Sequence, residues 1–360
     1  MNTKKYFYWL DWMRFISAFL VIIAHYRGMF FVEYGLLPEA QHTNIVRIFY
    51  FLTRFGDQPV IVFFVLSGFL VGGKAIEQIL RNNVNIKSYI LDRMVRIFLP
   101  LIASSLFVIF VNTISAVPIP YIDILGSLFS LQGIITSSAH NNPLWSLSYE
   151  VWFYVMMGCI MTFCIIKIQK KNIIYIFFLF SITLFIFQIL RSFYLFIWFM
   201  GAFTYLLPRE NISFKKLKIF IIAILLFISF GLSQLVSASR SIKINFFSFL
   251  NTDNTSMLLA FFTCLFIHYL ITATPNSKIG IKIDKIGSHL AGFSYSLYLT
   301  HYPLMSLLKN WGFPKSEELS IKSISLYILE VFLAMLTSYL IYSISEKHTY
   351  KIKNLIKSKI

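Results

Sequence analysis

Long apolar stretches separated by short polar segments dominate the sequence. A transmembrane helix needs about 20 mostly apolar residues, and the pattern offers ten candidate spans. They lie at approximately 7–27, 57–73, 97–116, 149–166, 173–190, 193–207, 218–236, 256–273, 290–308 and 324–345. The boundary between the fifth and sixth stretches is weak, because only Arg191 and Ser192 separate them. We therefore predict an all-α polytopic membrane protein with about ten transmembrane helices.

Composition agrees with this prediction. Hydrophobic residues make up 58% of the chain and charged residues 13%, which excludes an ordinary soluble globular protein. The net charge of +17 would suggest nucleic acid in a soluble protein, but here Lys and Arg concentrate in alternate connecting segments. We expect both termini in the cytoplasm and no nucleic-acid partner. The cysteines Cys159, Cys164 and Cys264 lie in apolar stretches without metal-ligand spacing, so we assign them to packing and expect no metal.

The segments outside the spans also carry predictions. Residues 28–56 form an outer connector that contains IVRIFYFLTRF, an amphipathic pattern typical of a segment on the membrane surface. The first apolar stretch contains charged residues and lacks a small-residue cleavage site, which favours a retained span over a signal peptide. We treat residues 1–345 as one transmembrane domain and 346–360 as a basic cytoplasmic tail that rests on anionic lipid.

The first apolar stretch carries Arg14 and His25, where a membrane span ordinarily carries no ionisable residue. Eleven positions at 100° each return a helix to nearly the same face, about 16 Å along its axis. A charge within the bilayer costs roughly 2.5–3.5 kcal/mol, so such groups face a protein interior or a watery cavity. We predict that this helix lines a reaction or transport path, with His25 as a base. The structural alternatives are an interfacial His25 without a role and a salt bridge between Arg14 and Asp11.

Two further motifs lie in the second span and immediately before the third. Ser67 and Gly68 lie in VFFVLSGFLVGG, where small residues let another helix or a slender ligand approach the backbone. Arg93 and Arg96 are three positions apart and share a helix face, where two guanidinium forks form a receptor for phosphates. Helix packing explains the first motif equally well, and the positive-inside rule explains the second.

Two motifs in the second half of the chain also place polar groups in apolar stretches. Pro143 opens a helix in HNNPLWSLSYEVWFYV, which places Glu150 in the first turns of a span. A carboxylate at that depth needs a partner, so it either orients His25 or is stabilised by the helix dipole alone. Tyr298 and His301 lie three positions apart on one face of the ninth span. These two residues either contact the substrate or form a hydrogen-bonded pair that is buried for packing, and the sequence favours neither.

Taken together, the motifs resemble the membrane-bound acyltransferase-3 family. The resemblance runs from about Tyr8 to Ser345 and rests on five motifs in order. These are LDWMRFISAFLVIIAH, FFVLSGFL, the pair Arg93-x-x-Arg96, LWSLSYEVWFY and SYSLYLTHYPL. Members of this family move acyl groups from cytoplasmic acyl-CoA onto extracytoplasmic glycans. Many relatives add an extracytoplasmic hydrolase-like domain, so we expect this chain to complete transfer in its membrane domain or with a partner.

The resemblance implies roles for the ionisable residues. His25 is the expected catalytic histidine, and Arg14 is its functional partner. Glu150 matches the acidic position after the WSL motif, which implies a role near the acceptor or the histidine.

The resemblance also implies how the substrates bind. The acyl donor is expected to be acetyl-CoA, with Arg93 and Arg96 on its phosphates and with Ser67 and Gly68 along its path. The residues expected to contact the acceptor are Trp145, Tyr298 and His301.

The function implied is an O-acetyltransferase of a bacterial cytoplasmic (inner) membrane. Its acceptor would be a cell-surface polysaccharide or a lipid-linked precursor, and its partners would be membrane lipid, acyl-CoA, the surface glycan and polysaccharide-assembly proteins. Two other classes remain open at this point. A transporter or flippase would use Arg14, Glu150 and His25 as a relay, and a scaffold in an assembly complex would leave the buried charges unexplained.

Overall fold

The computed structural model describes residues 7–165, 170–208, 215–242, 250–275 and 277–358, and this part of the chain contains helices and connecting segments without a β-strand. The basic N-terminal segment and the connectors 166–169 and 209–214, which contributed to the charge bias, lie outside the described residues. The helices are α1 (Leu10–Phe30), α2 (Asn44–Leu52), α3 (Gln58–Ser67), α4 (Gly73–Leu80), α5 (Ile86–Ile114), α6 (Tyr121–Leu128), α7 (Trp145–Ile165), α8 (Lys170–Ile189), α9 (Ser192–Leu206), α10 (Lys215–Ile242), α11 (Thr252–Leu270), α12 (Lys278–Gly292), α13 (Ser294–Asn310), α14 (Ile321–Ile344) and α15 (Thr349–Lys357). A π-helical turn, Gly68–Gly72, joins α3 to α4. The prediction of an all-α protein is confirmed.

Six helical segments among the described residues are long and apolar enough to cross a membrane. They are Leu10–Phe30, Gln58–Leu80, Ile86–Ile114, Asn142–Ile165, Lys215–Ser237 and Ile321–Lys357. The pair Ile173–Ile189 and Ser192–Leu206 is a seventh candidate, and it bends by 115° beside Arg191, where the sequence placed its weak boundary. The predicted spans 256–273 and 290–308 correspond to α11 and α13, which are 19 and 17 residues long. The total of about ten spans and the cytoplasmic termini stay predictions.

The chain divides into two compact units. Unit 1 contains the described residues up to Ser17 together with Asp57–Ile86 and Phe153–Ala291. Unit 2 contains Ala18–Gly56, Lys87–Trp152 and the described residues from Gly292 onward. Helices α1 and α7 therefore contribute their first and last turns to different units.

Close packing of α9 against α3 and the π-helical turn organises part of unit 1. A Cβ atom placed on Gly68 would overlap the carbonyl oxygen of Trp198, and one placed on Gly201 would overlap the carbonyl oxygen of Val65. Glycine is therefore required on both sides of the contact, because a backbone carbonyl cannot rotate away as a flexible side chain can. Small residues in apolar helices allow this kind of backbone approach.

Helix α13 is a mostly buried helix of unit 2 and packs along α14. The hydroxyl of Thr300 on α13 lies 2.8 Å from that of Ser338 on α14. At the start of α13, the Glu346 carboxylate accepts hydrogen bonds from the Ser296 backbone N–H at 3.1 Å and its hydroxyl at 2.7 Å. A carboxylate at this position satisfies an N–H group that has no partner inside the helix. The segment after α14 is thus tied to the helix that carries His301.

Candidate active site

The centre of the site is a pair of histidines in unit 2. His25 Nδ1 on α1 lies 2.9 Å from His301 Nε2 on α13, and the two rings are parallel within 3°. His301 is completely buried, whereas His25 is half-buried. The sequence placed both residues on spans, and the structure brings them together although 276 positions separate them.

The hydrogen bonds of this pair determine where the protons lie. His301 Nδ1 is 3.1 Å from the Leu297 carbonyl oxygen, which only accepts, so Nδ1 carries the hydrogen. In a neutral ring His301 Nε2 is then an acceptor, and His25 must donate from Nδ1. The lone pair of a neutral His25 consequently lies on Nε2, for which the described residues supply no hydrogen-bond partner. The arrangement presents a basic nitrogen on a half-buried side chain.

A proline fixes the part of α13 that carries His301. Pro303 has no N–H, so the Leu299 carbonyl one turn earlier lacks its usual helical donor. Two side chains donate to this oxygen instead, the Ser104 hydroxyl at 2.9 Å and the Asn141 amide at 2.7 Å. The Tyr26 hydroxyl also donates to the His301 carbonyl at 3.0 Å. These bonds hold the backbone at Leu299, two residues before the histidine, and at His301 itself.

The segment before α7 packs against α13 near His301. Ala139 and His140 adopt left-handed backbone conformations with φ of 51° and 58°, which non-glycine residues rarely do. The following residues are anchored on α13, since the Asn142 amide donates to the Tyr302 hydroxyl at 3.1 Å. The Tyr302 ring stands perpendicular to that of His25, with 6.0 Å between centroids. Tyr302 is therefore a second aromatic neighbour of the catalytic candidate.

Tyr298 and His301 are neighbours on α13. Their rings are tilted, with centroids 5.9 Å apart. The Tyr298 hydroxyl donates to the Pro143 carbonyl at 2.7 Å and lies 2.7 Å from the Ser146 hydroxyl. Tyr298 thus joins α13 to the start of α7, and its contact with an acceptor stays a prediction.

The other residues predicted from the start of α7 lie in unit 2 as well. Glu150 has a half-buried side chain, but the hydrogen-bond partner that the structure gives to His25 is His301. Trp145 is half-buried and meets the Tyr149 ring edge to face at 5.7 Å. The roles of Glu150 and Trp145 stay predictions.

The predicted residues of unit 1 have local partners. Arg14 Nη1 lies 3.4 Å from the Asp11 carboxylate, so the salt bridge named as the structural alternative is present. Ser67 Oγ accepts a hydrogen bond from Trp198 Nε1 at 3.1 Å and lies 3.0 Å from the Tyr154 hydroxyl. The close neighbour of Gly68 is the backbone of α9, as the packing alternative expects. A functional role for Arg14 and a donor contact for Ser67 or Gly68 stay predictions.

Arg93 and Arg96 lie near the start of α5 in unit 2, and Arg96 is exposed. Their spacing puts two planar guanidinium groups on one helix face, and a group of this kind can bind a phosphate through paired N–H donors. Their contact with a donor molecule stays a prediction.

Sequence reasoning missed four residues of the site: Tyr26, Ser104, Asn141 and Tyr302. One signal was available, because Pro303 in SYSLYLTHYPL implies a carbonyl at Leu299 that needs another donor. The sequence could not name that donor, since Ser104 and Asn141 lie 195 and 158 positions away.

Comparison with known proteins identifies the family. The family model described as "Acyltransferase domain", that of the acyltransferase-3 family, matches residues 7–343. An uncharacterized protein of Haemophilus influenzae is 28% identical over 228 residues, which cover 57% of this chain and 86% of the relative. No solved structure matches the chain. Because the family match covers nearly the whole chain, the protein belongs to the acyltransferase-3 family of membrane acyltransferases.

Proposed function

We propose that the protein is an O-acetyltransferase of a bacterial cytoplasmic membrane. It moves an acetyl group from cytoplasmic acetyl-CoA to a hydroxyl of a cell-surface polysaccharide or of its lipid-linked precursor. Family membership supports the reaction class. The observation that carries the proposal is the hydrogen-bonded chain from Leu297 through His301 to His25, which leaves the lone pair of His25 Nε2 available.

The chemistry of acyl transfer fits this pair. His25 Nε2 accepts the proton of the acceptor hydroxyl while that oxygen attacks the thioester carbonyl. The carbon–sulfur bond breaks, and the departing thiolate takes the proton from the His25 imidazolium and leaves as the thiol of coenzyme A. His301 accepts the hydrogen bond from His25 Nδ1 throughout, so it orients the base and stabilises its charged form.

The remaining predicted residues bind the two substrates in this proposal. Arg93 and Arg96 hold the donor phosphates through their planar donor groups. Tyr302, which stands beside His25 with a half-buried ring, joins Trp145 and Tyr298 among the residues that face the acceptor.

The test is the O-acetyl content of surface glycan, measured by NMR of purified polysaccharide from a gene-deletion strain. The strain is complemented with wild type, His25→Ala or Arg93→Ala/Arg96→Ala at matched membrane levels. We expect His25→Ala to reduce the transfer rate by about 10²–10⁴-fold, the usual contribution of a general base. His289→Ala, an equal substitution at an exposed position of α12, is the matched control and should restore acetylation.

Full complementation by His25→Ala would contradict the assignment of the base. The transporter or flippase alternative has a separate signature. Under that alternative, purified wild-type protein neither hydrolyses acetyl-CoA nor transfers its acetyl group.

A further inference from the structure

Helix α12, which connects α11 to α13, is too short and too charged to cross a membrane. Its 15 residues span about 22 Å, against roughly 30 Å of bilayer hydrocarbon, and four of them are Lys or Asp. Because a helix turns by about 100° at each residue, its side chains can be sorted into faces. One face of α12 packs on the protein, a second is apolar and exposed, and a third is basic and exposed.

The packed face fixes the orientation of α12 within unit 1. The Asp284 carboxylate accepts a hydrogen bond from the Trp9 backbone N–H at 3.0 Å, just before α1 begins, and Trp12 Nε1 donates to the Ile283 carbonyl at 2.9 Å. A Cβ atom placed on Gly287 would overlap the Trp12 indole, so the indole lies directly on the backbone of α12. These contacts fix the rotation of α12 about its own axis, and its two exposed faces therefore point in fixed directions.

The apolar face is a row of three isoleucines, Ile279, Ile283 and Ile286. Their spacing of four and three positions keeps them within about 60° of one another, roughly 110° around the helix from the packed face. Each of the three residues is between 42% and 72% exposed. Ile281 is exposed as well but lies outside the row. Contact between water and a row of isoleucine side chains is unfavourable, so we expect an apolar medium to cover it.

The basic face is a row of three lysines with the same spacing, Lys278, Lys282 and Lys285. All three are exposed, and the row lies about 90° from the isoleucines, on the side away from the packed face. Asp284, the acidic residue of α12, is buried beside the start of α1, so the exposed charge of the helix is positive. A lysine beside an apolar face can lay its aliphatic stem on that face and place its ammonium group among lipid headgroups.

The predicted topology places this helix beside anionic lipid. Most of α12 belongs to the connector between the eighth and ninth predicted spans, 256–273 and 290–308. A chain that starts in the cytoplasm has then crossed the membrane eight times and is back on the cytoplasmic side. Anionic phospholipids give that membrane surface a negative potential, which attracts each nearby lysine. The charges of the lysine row and of the lipid surface are therefore complementary.

We propose that α12 lies in the cytoplasmic interface of the membrane and binds anionic phospholipid. The isoleucine row inserts among the acyl chains next to the headgroups, and the lysine row binds the headgroup phosphates. A helix with one apolar and one basic face that cannot span the bilayer is of the kind that lies in the plane of an interface. A second copy of the chain or a soluble protein would cover the isoleucines without hydrocarbon, so the test must distinguish these occupants from lipid.

The first experiment measures the depth of the isoleucine row by electron paramagnetic resonance of nitroxide labels. Full-length protein is reconstituted into vesicles of phosphatidylcholine and phosphatidylglycerol. The background is Cys164→Ser, since the other native cysteines, Cys159 and Cys264, are buried. Labels are attached, one at a time, at Ile279→Cys, Ile283→Cys and Ile286→Cys.

Oxygen concentrates in hydrocarbon and a nickel chelate stays in water, so the ratio of the two accessibilities gives the depth of a label. We expect labels in the isoleucine row to favour oxygen, at a shallower depth than Phe227→Cys, an exposed position of the candidate span in α10. The aqueous reference is Asn83→Cys, an exposed position in the connector after α4. Chelate access equal to that of Asn83→Cys at the isoleucine positions would overturn the proposal. Exclusion of both reagents would also overturn it, because protein would then cover the row.

The second experiment measures which lipid gathers at α12. A bimane fluorophore on Ile283→Cys is quenched by doxyl-labelled phosphatidylglycerol or doxyl-labelled phosphatidylcholine, and the ratio of the two gives the local enrichment of the anionic lipid. We expect Lys278→Gln/Lys282→Gln/Lys285→Gln to lower this ratio by at least about 5-fold, the contribution of one lysine near an anionic membrane surface. Lys278→Arg/Lys282→Arg/Lys285→Arg keeps the charges and should keep the wild-type ratio.

The control for total charge is a triple variant in unit 2, which removes three other exposed lysines and should leave the ratio unchanged. It is Lys309→Gln/Lys315→Gln/Lys322→Gln. If this variant and the α12 triple variant lower the ratio equally, the enrichment reflects the net charge of the protein and the proposal is wrong. An unchanged ratio in the α12 triple variant would likewise overturn the binding of headgroups, even where the labels show that the isoleucines lie in hydrocarbon.

Discussion

Two polar networks within apolar helices differ in one respect that bears on function. In unit 1 the Ser67 hydroxyl bonds to the Trp198 indole and lies within hydrogen-bond distance of the Tyr154 hydroxyl, and Gly68 beside it admits the backbone of α9. In unit 2 the chain from Leu297 through His301 ends at His25, whose Nε2 has no hydrogen-bond partner among the described residues. The first network is closed by the protein itself, whereas the second ends in a basic nitrogen.

Because of this difference, we expect substitutions in the two networks to affect different properties of the protein. A buried polar group is retained when its partners satisfy it, so removing one partner from a closed network lowers stability. A polar group that is held in position with one atom free of protein partners can bind or deprotonate a substrate. Removing the residue that positions it therefore lowers the reaction rate. Variants of the unit 1 network should therefore mainly lower stability, whereas variants of the unit 2 network should mainly lower turnover.

The largest effect is expected from His301→Phe. Phenylalanine retains an aromatic ring but offers no acceptor to His25 Nδ1, so the tautomer and orientation of the base are no longer fixed. We expect kcat to fall by about 10²–10³-fold, comparable to the loss of an orienting group in other base-catalysed transfers. The measurement is acetyl transfer by purified protein, with the KM for acetyl-CoA determined in parallel.

A packing role for His301 would give a different result. The matched control is Thr300→Val, which removes a buried hydroxyl from the preceding position of α13 and should alter thermal stability more than kcat. If His301→Phe and Thr300→Val lower kcat equally, or if His301→Gln, whose amide supplies an acceptor, recovers none of the activity, His301 does not orient the base.

A smaller effect, and one on stability, is expected from Gly68→Ala and Gly201→Ala. Each added methyl would meet a backbone carbonyl of the opposing segment, so α3 and α9 must move apart. We expect each variant to lose about 3 kcal/mol of unfolding free energy, the upper range for overpacking a tight contact. Unfolding of the purified protein in mixed micelles measures it, and Gly35→Ala, where no atom lies within 4 Å of the new methyl, should match wild type.

The same pair also decides between helix packing and a donor contact at Gly68. Gly201 has no predicted ligand role, so packing requires the two variants to be destabilised alike. A stable Gly68→Ala protein that has lost coenzyme A binding would instead favour the ligand interpretation.

The sequence predicted local features of the site but not its long-range pairing. The unusual His25 in an apolar helix was visible because a single residue contradicts the composition around it. The same reasoning foresaw Asp11 as a partner for Arg14, since one turn of helix brings them together. From the sequence, Glu150 was the candidate for orienting His25. His301 could not be selected, because the pairing of α1 with α13 depends on tertiary packing.

The apolar pattern likewise predicts where helices lie better than it predicts their length and bending. The apolar pattern predicted a weak boundary at Arg191, and the structure bends by 115° there. For 290–308 the pattern predicted a span, and the structure has α13 there, which is 17 residues long and contains Pro303. Apolar character alone does not determine how a helix is bent or which carbonyl lacks a donor, since these depend on the residues packed around it.

The smallest effect we predict concerns the support of α13 and requires a thermodynamic cycle. Ser104→Ala and Asn141→Ala together leave the buried Leu299 carbonyl without the side-chain donors it has now. In the wild-type background we expect the pair of substitutions to cost about 1–3 kcal/mol of unfolding free energy, the penalty for an unsatisfied buried acceptor. In a Pro303→Ala background, residue 303 regains an N–H that can donate to the same oxygen.

The cost of the pair should therefore fall by about 1–2 kcal/mol when Pro303 is absent, a coupling that unfolding measurements on the four proteins resolve. Equal costs in both backgrounds would mean that Ser104 and Asn141 stabilise unit 2 for reasons unrelated to the missing N–H. A coupling accompanied by recovery of kcat would go further. It would show that the support of the Leu299 carbonyl also holds His301 in position to accept from His25, because Leu299 lies two residues before that histidine on the same helix.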